Sequence, residues 1–324
     1  MKLHRRQFLQ MTAGIATSTI AAAAWAQGYP SRPVRLIVGF AAGGVTDIVA
    51  RLIGQWLSER LGQQFIVENR TGAGTNIATE AVVRAVPDGY TLLMASAANA
   101  INATLYDNLN FNFIRDTVPI ASIIGTPLVM VVNPSFPAKT VRDFIAYAKA
   151  NAGKINMATS GSGSPPHVGG ELFQMMAGCK MVQVAYRGDA PAIADLIGGQ
   201  VHVYFGTLPA SIEFVRAGRL RALAVTAAAR SPALPDIPAM AEFLPGYEAT
   251  IWNGLSGPKG TPVDVVRKLN GAINAALADP KMVARFAELG AKVIPGSPED
   301  YAKLVAAETE KWGRIVQLSG AKPD

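Results

Sequence analysis

The sequence contains one cysteine, Cys179, and three histidines, one of which lies in the first 26 residues. A single cysteine excludes an internal disulfide and any metal site built from several cysteines. The other histidines, His167 and His202, belong to no HExxH motif and to no Cys/His cluster, so a zinc site is not predicted. We therefore expect neither a metal nor a cofactor, and we expect Cys179 to be a buried thiol.

Charge is also scarce, because only 16% of the residues are charged and 50% are hydrophobic. This composition is typical of a well-packed globular protein and not of a disordered chain. The net charge of +7 falls to +4 when the three positive charges of the first 26 residues are left out. No lysine or arginine stripe accompanies this excess, so nucleic acid is not a predicted partner.

The first 26 residues have the features of an export signal. Residues 2–6 carry three positive charges, residues 8–24 are apolar and rich in alanine, and Ala26 ends a small-x-small cleavage site. Residues 4–10 also resemble a twin-arginine signal, and a general secretory signal is the alternative. Both interpretations predict a periplasmic protein that is cleaved near Ala26. No later segment is apolar enough, without interruption, to predict a membrane span.

Strands and helices alternate along the rest of the chain, which predicts an α/β fold. A chain of 324 residues is too long for one ordinary core and suits two lobes, each a mainly parallel sheet flanked by helices. We predict strands at residues 34–40, 64–69, 90–95, 121–133, 155–158, 181–185, 203–205 and 220–225. We predict helices at residues 45–60, 76–85, 141–150, 166–177, 190–197, 263–278, 280–289 and 298–317.

Two segments are candidate crossings between the lobes. Residues 125–127 interrupt a long strand, and residues 231–238 are rich in proline. These crossings favour a first lobe of residues 28–125 plus 236–324, with residues 126–235 inserted as the second lobe. The alternative is two consecutive domains that divide at the first crossing.

The chain lacks a convincing catalytic or nucleotide-binding motif. The serine-rich loop at residues 159–164 is not G-x-S-x-G, because a glycine stands where the serine is required. The glycines of residues 43–44 and 72–74 lack the spacing of a dinucleotide fingerprint, and no P-loop lysine follows. We predict that the protein is not an enzyme. A hydrolase that uses Ser162 and His167 is an alternative without motif support.

Glycine- and serine-rich loops at strand-to-helix turns are the chemically distinctive feature. Ligands of open α/β sheets lie at the carboxyl ends of strands, where helix N-termini offer free N–H groups and partial positive charge. In the loop of residues 39–47, backbone amides and Thr46 are candidates to hold a carboxylate. Asp47 is a candidate helix cap or a partner for a ligand amine. A plain turn with an N-cap is the alternative.

Two further loops share this composition. In the loop of residues 159–167, hydroxyls and amides converge where prolines begin a helix, and an ordinary linker is the alternative. In the loop of residues 185–191, Arg187 is a candidate for two-pronged pairing with a carboxylate, and a surface arginine is the alternative.

Eight segments, in this order and spacing, make the chain resemble the Bug family, the extracytoplasmic receptors of tripartite tricarboxylate transporters. The segments are Tyr-Pro-Ser-Arg-Pro at 29–33, Gly-Gly-x-x-Asp at 43–47, Glu-Asn-Arg-x-Gly-Ala-Gly at 68–74, Pro-Asp-Gly-Tyr-Thr-Leu-Leu at 87–93, the loop at 161–167, Tyr-x-Gly with Pro-Ala at 186–192, Asp-Leu-x-Gly-Gly-Gln-Val at 195–201 and Gly-Thr-Pro at 260–262.

The resemblance implies a Venus-flytrap receptor of two α/β lobes. Such a receptor binds a small carboxylate in the interlobe cleft, which is a di- or tricarboxylate, an acidic amino acid or an aromatic acid. It then delivers the ligand to the membrane components of a tripartite tricarboxylate transporter. A sensing subunit that presents the solute to a signalling protein is the alternative. We expect the receptor to be a monomer.

The resemblance also implies a set of ligand contacts. They are Phe40, Ala42, Gly44, Thr46, Asp47 and Ser96 in the first lobe, and Ser160, Ser162, His167, Tyr186 and Phe205 in the second. Arg187 joins this set on its own chemistry. Ala42 and Gly39 stand where the family often has proline, so we expect a less preorganised first loop.

Overall fold

The computed structural model describes residues 28–323, and the predicted signal peptide lies outside these residues. The strands are β1 (Val34–Val38), β2 (Phe65–Asn69), β3 (Thr91–Ser96), β4 (Thr117–Val132), β5 (Asn156–Thr159), β6 (Val182–Ala185), β7 (Val203–Thr207), β8 (Arg221–Val225), β9 (Thr250–Pro258) and β10 (Lys292–Val293). The α-helices are α1 (Val45–Leu61), α2 (Asn76–Val83), α3 (Ala97–Leu105), α4 (Phe113–Asp116), α5 (Val141–Ala150), α6 (Pro165–Ala177), α7 (Asp189–Ile197), α8 (Leu208–Arg216), α9 (Val263–Ala278), α10 (Pro280–Glu288) and α11 (Pro298–Ser319).

The strands form one continuous ladder in the order β2-β1-β3-β9-β4-β7-β5-β6, and β8 and β10 also pair with β4. The flanks are parallel, since β1 pairs in parallel with β2 and β3, and β5 with β6 and β7. The centre is antiparallel, because β9 runs against both β3 and β4. The α/β class is confirmed, with a mixed sheet and flanking helices.

Strand β4 belongs to both halves of the ladder. Its first part, as far as Pro127, pairs with β9, and its second part, from Leu128 onward, pairs with β7 and β8. The predicted interruption at residues 125–127 is therefore a change of pairing partner within a continuous strand. Pro127 suits this position because proline has no backbone N–H to donate to a ladder, so it is tolerated where the pairing changes.

The chain returns beside this point. Thr250, the first residue of β9, pairs with Pro127, and the preceding Ala249 donates its N–H to Thr226 O at 3.0 Å. Ala239 still pairs with Val225. The strand pairs favour dividing the chain into lobe one (residues 28–127 and 250–323) and lobe two (residues 128–249). The predicted lobe boundaries stay predictions. For the return of the chain to lobe one, we propose residue 250 in place of residue 236.

Local sequence explains why the helices that flank the site begin and end where they do. Helix α1 buries one face through Val49, Ile53 and Leu57, and Gly62 ends it in the left-handed conformation. Ser164 is the N-cap of helix α6, where its side chain accepts from the backbone N–H of His167, and prolines occupy the first two positions of the helix. The N-terminus of α6 is thereby fixed by residues of its own sequence.

The cores of both lobes are apolar. Cys179 is buried, as expected, and burial raises the pKa of its thiol. Within residues 28–323, no helix is long and apolar enough to cross a membrane. The same residues contain no group of three or more histidine, cysteine, aspartate or glutamate side chains that could hold a metal ion.

Candidate functional site

The loops at the carboxyl ends of the parallel strands meet between the lobes. Ala41 donates its backbone N–H to the carbonyl of Arg187 at 2.9 Å, and Tyr106 Oη donates to the carbonyl of Ser162 at 3.3 Å. A Cβ atom at Gly74 would lie 2.2 Å from the Ser162 carbonyl oxygen, so only glycine permits this approach. The predicted ligand loops of both lobes are therefore in direct contact.

A small inner cavity lies where these loops meet. Its volume is about 20 Å³, which is room for one water-sized group. It lies against the N-termini of α1, α6 and α7, and it is lined by Phe40, Val45, Thr46, Ser96, Ser160, Pro165, Pro166, Asp189, Thr207 and Ile251.

A larger outer cavity adjoins it and shares Phe40 and Ser160 with it. Its volume is about 390 Å³, and its other lining residues are Gly39, Gly72, Ala73, Gly74, Thr75, Tyr106, Gly161, Ser162, Ala185, Tyr186 and Arg187. Many of these residues are glycines, so backbone groups can approach a ligand closely. Arg187, an exposed residue, brings a positive charge to this wall.

Asp189 links the two sides of the inner cavity. One carboxylate oxygen, Oδ2, accepts from the backbone N–H of Val45 at 3.2 Å and from Thr207 Oγ1 at 3.0 Å. The other oxygen accepts from Ser160 Oγ at 3.0 Å and from Tyr204 Oη. Burial and the Asp189 charge raise the pKa of Tyr204 well above its usual value, so the phenol keeps its proton and donates it.

The Asp189 carboxylate serves as the cap of α1. Gly44 stands at the N-cap position and has no side chain to accept from the first N–H groups. Asp189 of lobe two supplies that acceptor to Val45 and places a negative charge at the positive end of the helix. A Cβ atom at Gly44 would lie 2.9 Å from Asp189 Oδ2, which explains a glycine at this position.

Asp47 occupies the other side of the same helix start. Its carboxylate accepts from Gly43 N at 3.0 Å, from Arg51 at 2.9 Å and from Asn69 Nδ2 at 3.0 Å. Burial favours a higher pKa for Asp47, but the hydrogen bonds from these three residues and the charge of Arg51 together lower it below its usual value. The carboxylate braces the loop, and its role as a ligand contact stays a prediction.

The predicted site residues fall into two groups. Phe40, Thr46, Ser96, Ser160, Ser162, Tyr186 and Arg187 line one cavity or both. Ala42, Gly44, Asp47, His167 and Phe205 line neither of the two. His167 is buried and its Nδ1 accepts from Gly163 N at 3.2 Å, while the Phe205 ring packs 5.1 Å from that of Phe173. The roles of all these residues toward a ligand stay predictions.

Two of the lining side chains are held by neighbours. Thr46 Oγ1 accepts from Asn253 Nδ2 at 3.1 Å, which ties the start of α1 to β9. Tyr186 Oη donates to Asp195 at 2.7 Å, and burial together with this carboxylate raises the pKa of Tyr186 to about 12. Thr46 in the inner cavity and Tyr186 in the outer cavity are therefore held in fixed orientations.

Sequence reasoning missed several lining residues, of which Asp189 is the most consequential. It follows Gly188 and opens a helix, which is a usual place for aspartate and does not by itself indicate a cleft. Tyr106 follows α3, and Ile251 lies near the start of β9. Both were also missed, because neither segment contains a distinctive motif. Thr207 was not missed in this way, because the segment of residues 205–207 follows a strand and was a candidate to line a cleft, and Thr207 does line the inner cavity.

Two parallel flanks, joined through β4 and β9 around a cavity where their carboxyl-end loops meet, define a two-lobed solute-binding receptor. Residues 49–321 match the profile of the tripartite tricarboxylate transporter family receptor, and the chain belongs to that family. The Bug-family resemblance is confirmed. BugT of Bordetella pertussis is 38% identical over 311 residues, which cover 95% of each chain.

Solved structures of similar proteins agree with this assignment. R. palustris Rpa4515 with adipate is 37% identical, with a TM-score of 0.89, and the match covers 91% of this chain and all of that one. MatC from Rhodopseudomonas palustris with bound malate is 32% identical, with a TM-score of 0.86, and the match covers 89% of this chain and all of that one. The two-lobed receptor fold is thereby confirmed.

Proposed function

We propose that this protein is a periplasmic receptor that binds a small carboxylate between its lobes and delivers it to the membrane components of a tripartite tricarboxylate transporter. The outer cavity is the observation that carries the proposal. Its volume of about 390 Å³ lies in the range of small-molecule sites. Arg187 on its wall has a planar, always charged guanidinium that suits a carboxylate.

Relatives support the carboxylate class. Adipate and malate, which the two R. palustris structures hold, each carry two carboxylates on a short chain. An acid of that size suits the outer cavity. Glycine-rich backbone on the walls supplies N–H donors without side chains in the way.

The contacts between the loops suggest how binding is coupled to shape. Hydrogen bonds join residue 41 to residue 187 and residue 106 to residue 162 across the cleft. A ligand that contacts both walls stabilises the arrangement in which these loops meet. We propose that the transporter recognises this closed arrangement of a monomeric receptor.

A thermal-shift screen tests the carboxylate class directly. The panel contains short aliphatic mono- and dicarboxylates, their hydroxy and amino derivatives, and aromatic acids. We expect at least one acid to raise Tm in a concentration-dependent way, because a ligand that binds only the folded state stabilises it by mass action. Calorimetry then measures Kd. A panel in which uncharged sugars or polyols shift Tm and no acid does would reject the proposal.

A further inference from the structure

The start of α1 already has two aspartates beside it. Asp47 is paired with Arg51, and Asp189 accepts the Val45 N–H. Both side chains are buried, with 2% and 5% of their residues' surface exposed. Within residues 28–323, no lysine or arginine forms an ion pair with Asp189. The positive end of this helix is therefore matched by a carboxylate of the protein itself.

Asp189 also determines what the inner cavity offers a ligand. The hydroxyls of Ser160 and Thr207 both donate their hydrogens to it, at 3.0 Å each. A hydroxyl that has donated its one hydrogen has only lone pairs left for other partners. The part of the wall formed by Ser160 and Thr207 is therefore an acceptor surface, and a buried negative charge lies directly behind it.

A second carboxylate is poorly suited to such a surface. It has no hydrogen to donate, and repulsion between like charges is strong where water is largely excluded. An amide NH₂, a hydroxyl or an ammonium group can donate to the Ser160 and Thr207 oxygens instead. The cationic group also gains from the nearby charge.

The outer cavity carries a positive charge, because Arg187 lies on its wall. It adjoins the inner cavity, since the two share Phe40 and Ser160. We propose that Asp189 is a specificity-determining residue. The ligand places its one carboxylate in the outer cavity and turns an uncharged or cationic hydrogen-bond donor toward Asp189. The preferred class is a short monocarboxylate with a donor at its other end, and dicarboxylates of equal length are disfavoured. This inference rests on the proposed carboxylate-receptor function.

Matched ligand pairs test the inference by calorimetry. The pairs are succinate with succinamate and adipate with adipamate, in which one carboxylate becomes an amide at constant length, each compared with the corresponding ω-amino acid. For the wild-type protein we expect the best donor-ended acid to bind at least about tenfold more tightly than its dicarboxylate partner. Equal or tighter binding of the dicarboxylate would overturn the inference.

Substitution of Asp189→Asn keeps the size of the side chain and removes its charge. We expect the dicarboxylate to gain affinity in this variant and the ratio between paired ligands to fall to about twofold or less. A gain in affinity cannot come from damage to the fold. The control is Asp264→Asn, which changes an exposed aspartate in the first turn of α9 and leaves the ratio unchanged. An unchanged ratio in Asp189→Asn would contradict the assignment.

A second variant covers the case in which Asp189→Asn does not fold. Thr207→Val removes the acceptor oxygen at nearly constant shape, and we expect it to weaken only the donor-ended acids. Equal weakening of both members of a pair would count against the inference. If neither member binds wild-type protein and the wider acid panel also fails, the carboxylate-receptor function itself is rejected.

Discussion

Asp189 Oδ2 lies 3.2 Å from the backbone nitrogen of Val45, so a carboxylate of lobe two caps the helix that opens the cleft in lobe one. The two residues are 144 positions apart in the sequence. The bond joins the two lobes at the inner cavity. One contact thus couples the position of the lobes to the electrostatics of the proposed ligand site.

The first prediction concerns the stability that Asp189 contributes. Asp189→Ala leaves the Val45 N–H and three hydroxyl donors without their buried acceptor. We expect the free energy of unfolding to fall by about 2–3 kcal/mol, because hydrogen bonds to charged groups are worth about this much. Urea unfolding of both proteins at neutral pH measures the difference. Asp264→Ala is the matched control, and an equally small effect in the two variants would contradict the prediction.

The second prediction is a pH dependence centred on Asp47. The fold lowers the pKa of this carboxyl, so its contribution is complete above the unfolded value of about 3.9 and is lost as pH falls through the folded value. At neutral pH, we expect Asp47→Asn to lower the free energy of unfolding by about 1–2 kcal/mol. This is the low end of the range for hydrogen bonds to charged groups, because the Arg51 side chain is 55% exposed and its charge is screened by water.

Urea unfolding of wild-type protein and Asp47→Asn across the acid range checks this sign. The difference between the two free energies of unfolding should shrink as the medium becomes more acidic than the unfolded pKa. A difference that stays constant into strong acid, or that grows, would show that the ionised carboxylate does not stabilise the fold.

Much of the fold was predictable because local patterns specify it. Helix α1 has an apolar face and glycines at both ends, and most predicted elements agree with the structure within a few residues. Strand β9 was missed, since its sequence, Thr-Ile-Trp-Asn-Gly-Leu-Ser-Gly-Pro, mixes strand formers with glycine and asparagine. It is nevertheless buried between β3 and β4. Tertiary pairing outweighs weak strand propensity there. The helices α3, α4 and α8 and the short strand β10 were also missed.

The candidate site was predictable at the level of loops. The three predicted loops do meet, and Thr46, Ser160 and Arg187 line cavities between them. The sequence alone could not show which group accepts the first N–H of α1. In the structure the acceptor is the carboxylate of Asp189 and not a group of the ligand. That bond depends on a contact between distant segments, and no local pattern reports it.

The third prediction tests whether the approach of the two loops matters for binding. Gly74 has a φ of +57°, and a Cβ atom there would lie 2.2 Å from the Ser162 carbonyl oxygen. We expect Gly74→Ala to separate the loops and to raise Kd for the carboxylate ligand by at least about tenfold, because closure contributes to affinity.

Gly62→Ala is the control for that experiment. Gly62 also has a left-handed φ, of +74°, but no atom lies within 4 Å of the Cβ position. Both variants place a side chain at a left-handed φ, and we expect this strain to lower the free energy of unfolding by about 1–2 kcal/mol in each. Only Gly74→Ala should lose affinity in calorimetry. Equal Kd values for the two variants would show that the contact between the loops is irrelevant to binding.

The fourth prediction concerns the charge on the wall of the outer cavity. If Arg187 pairs with the ligand carboxylate, Arg187→Ala loses hydrogen bonds to a charged group, and we expect a cost of about 1.5–3 kcal/mol in binding. Arg187→Lys keeps the charge without the planar fork and should recover only part of this loss. Arg267→Ala changes another exposed arginine, in α9, and leaves Kd unchanged. Calorimetry with the tightest acid of the panel gives all four values. A Kd of Arg187→Ala that matches the control would return Arg187 to the role of a surface charge, and the carboxylate would then depend on backbone amides alone.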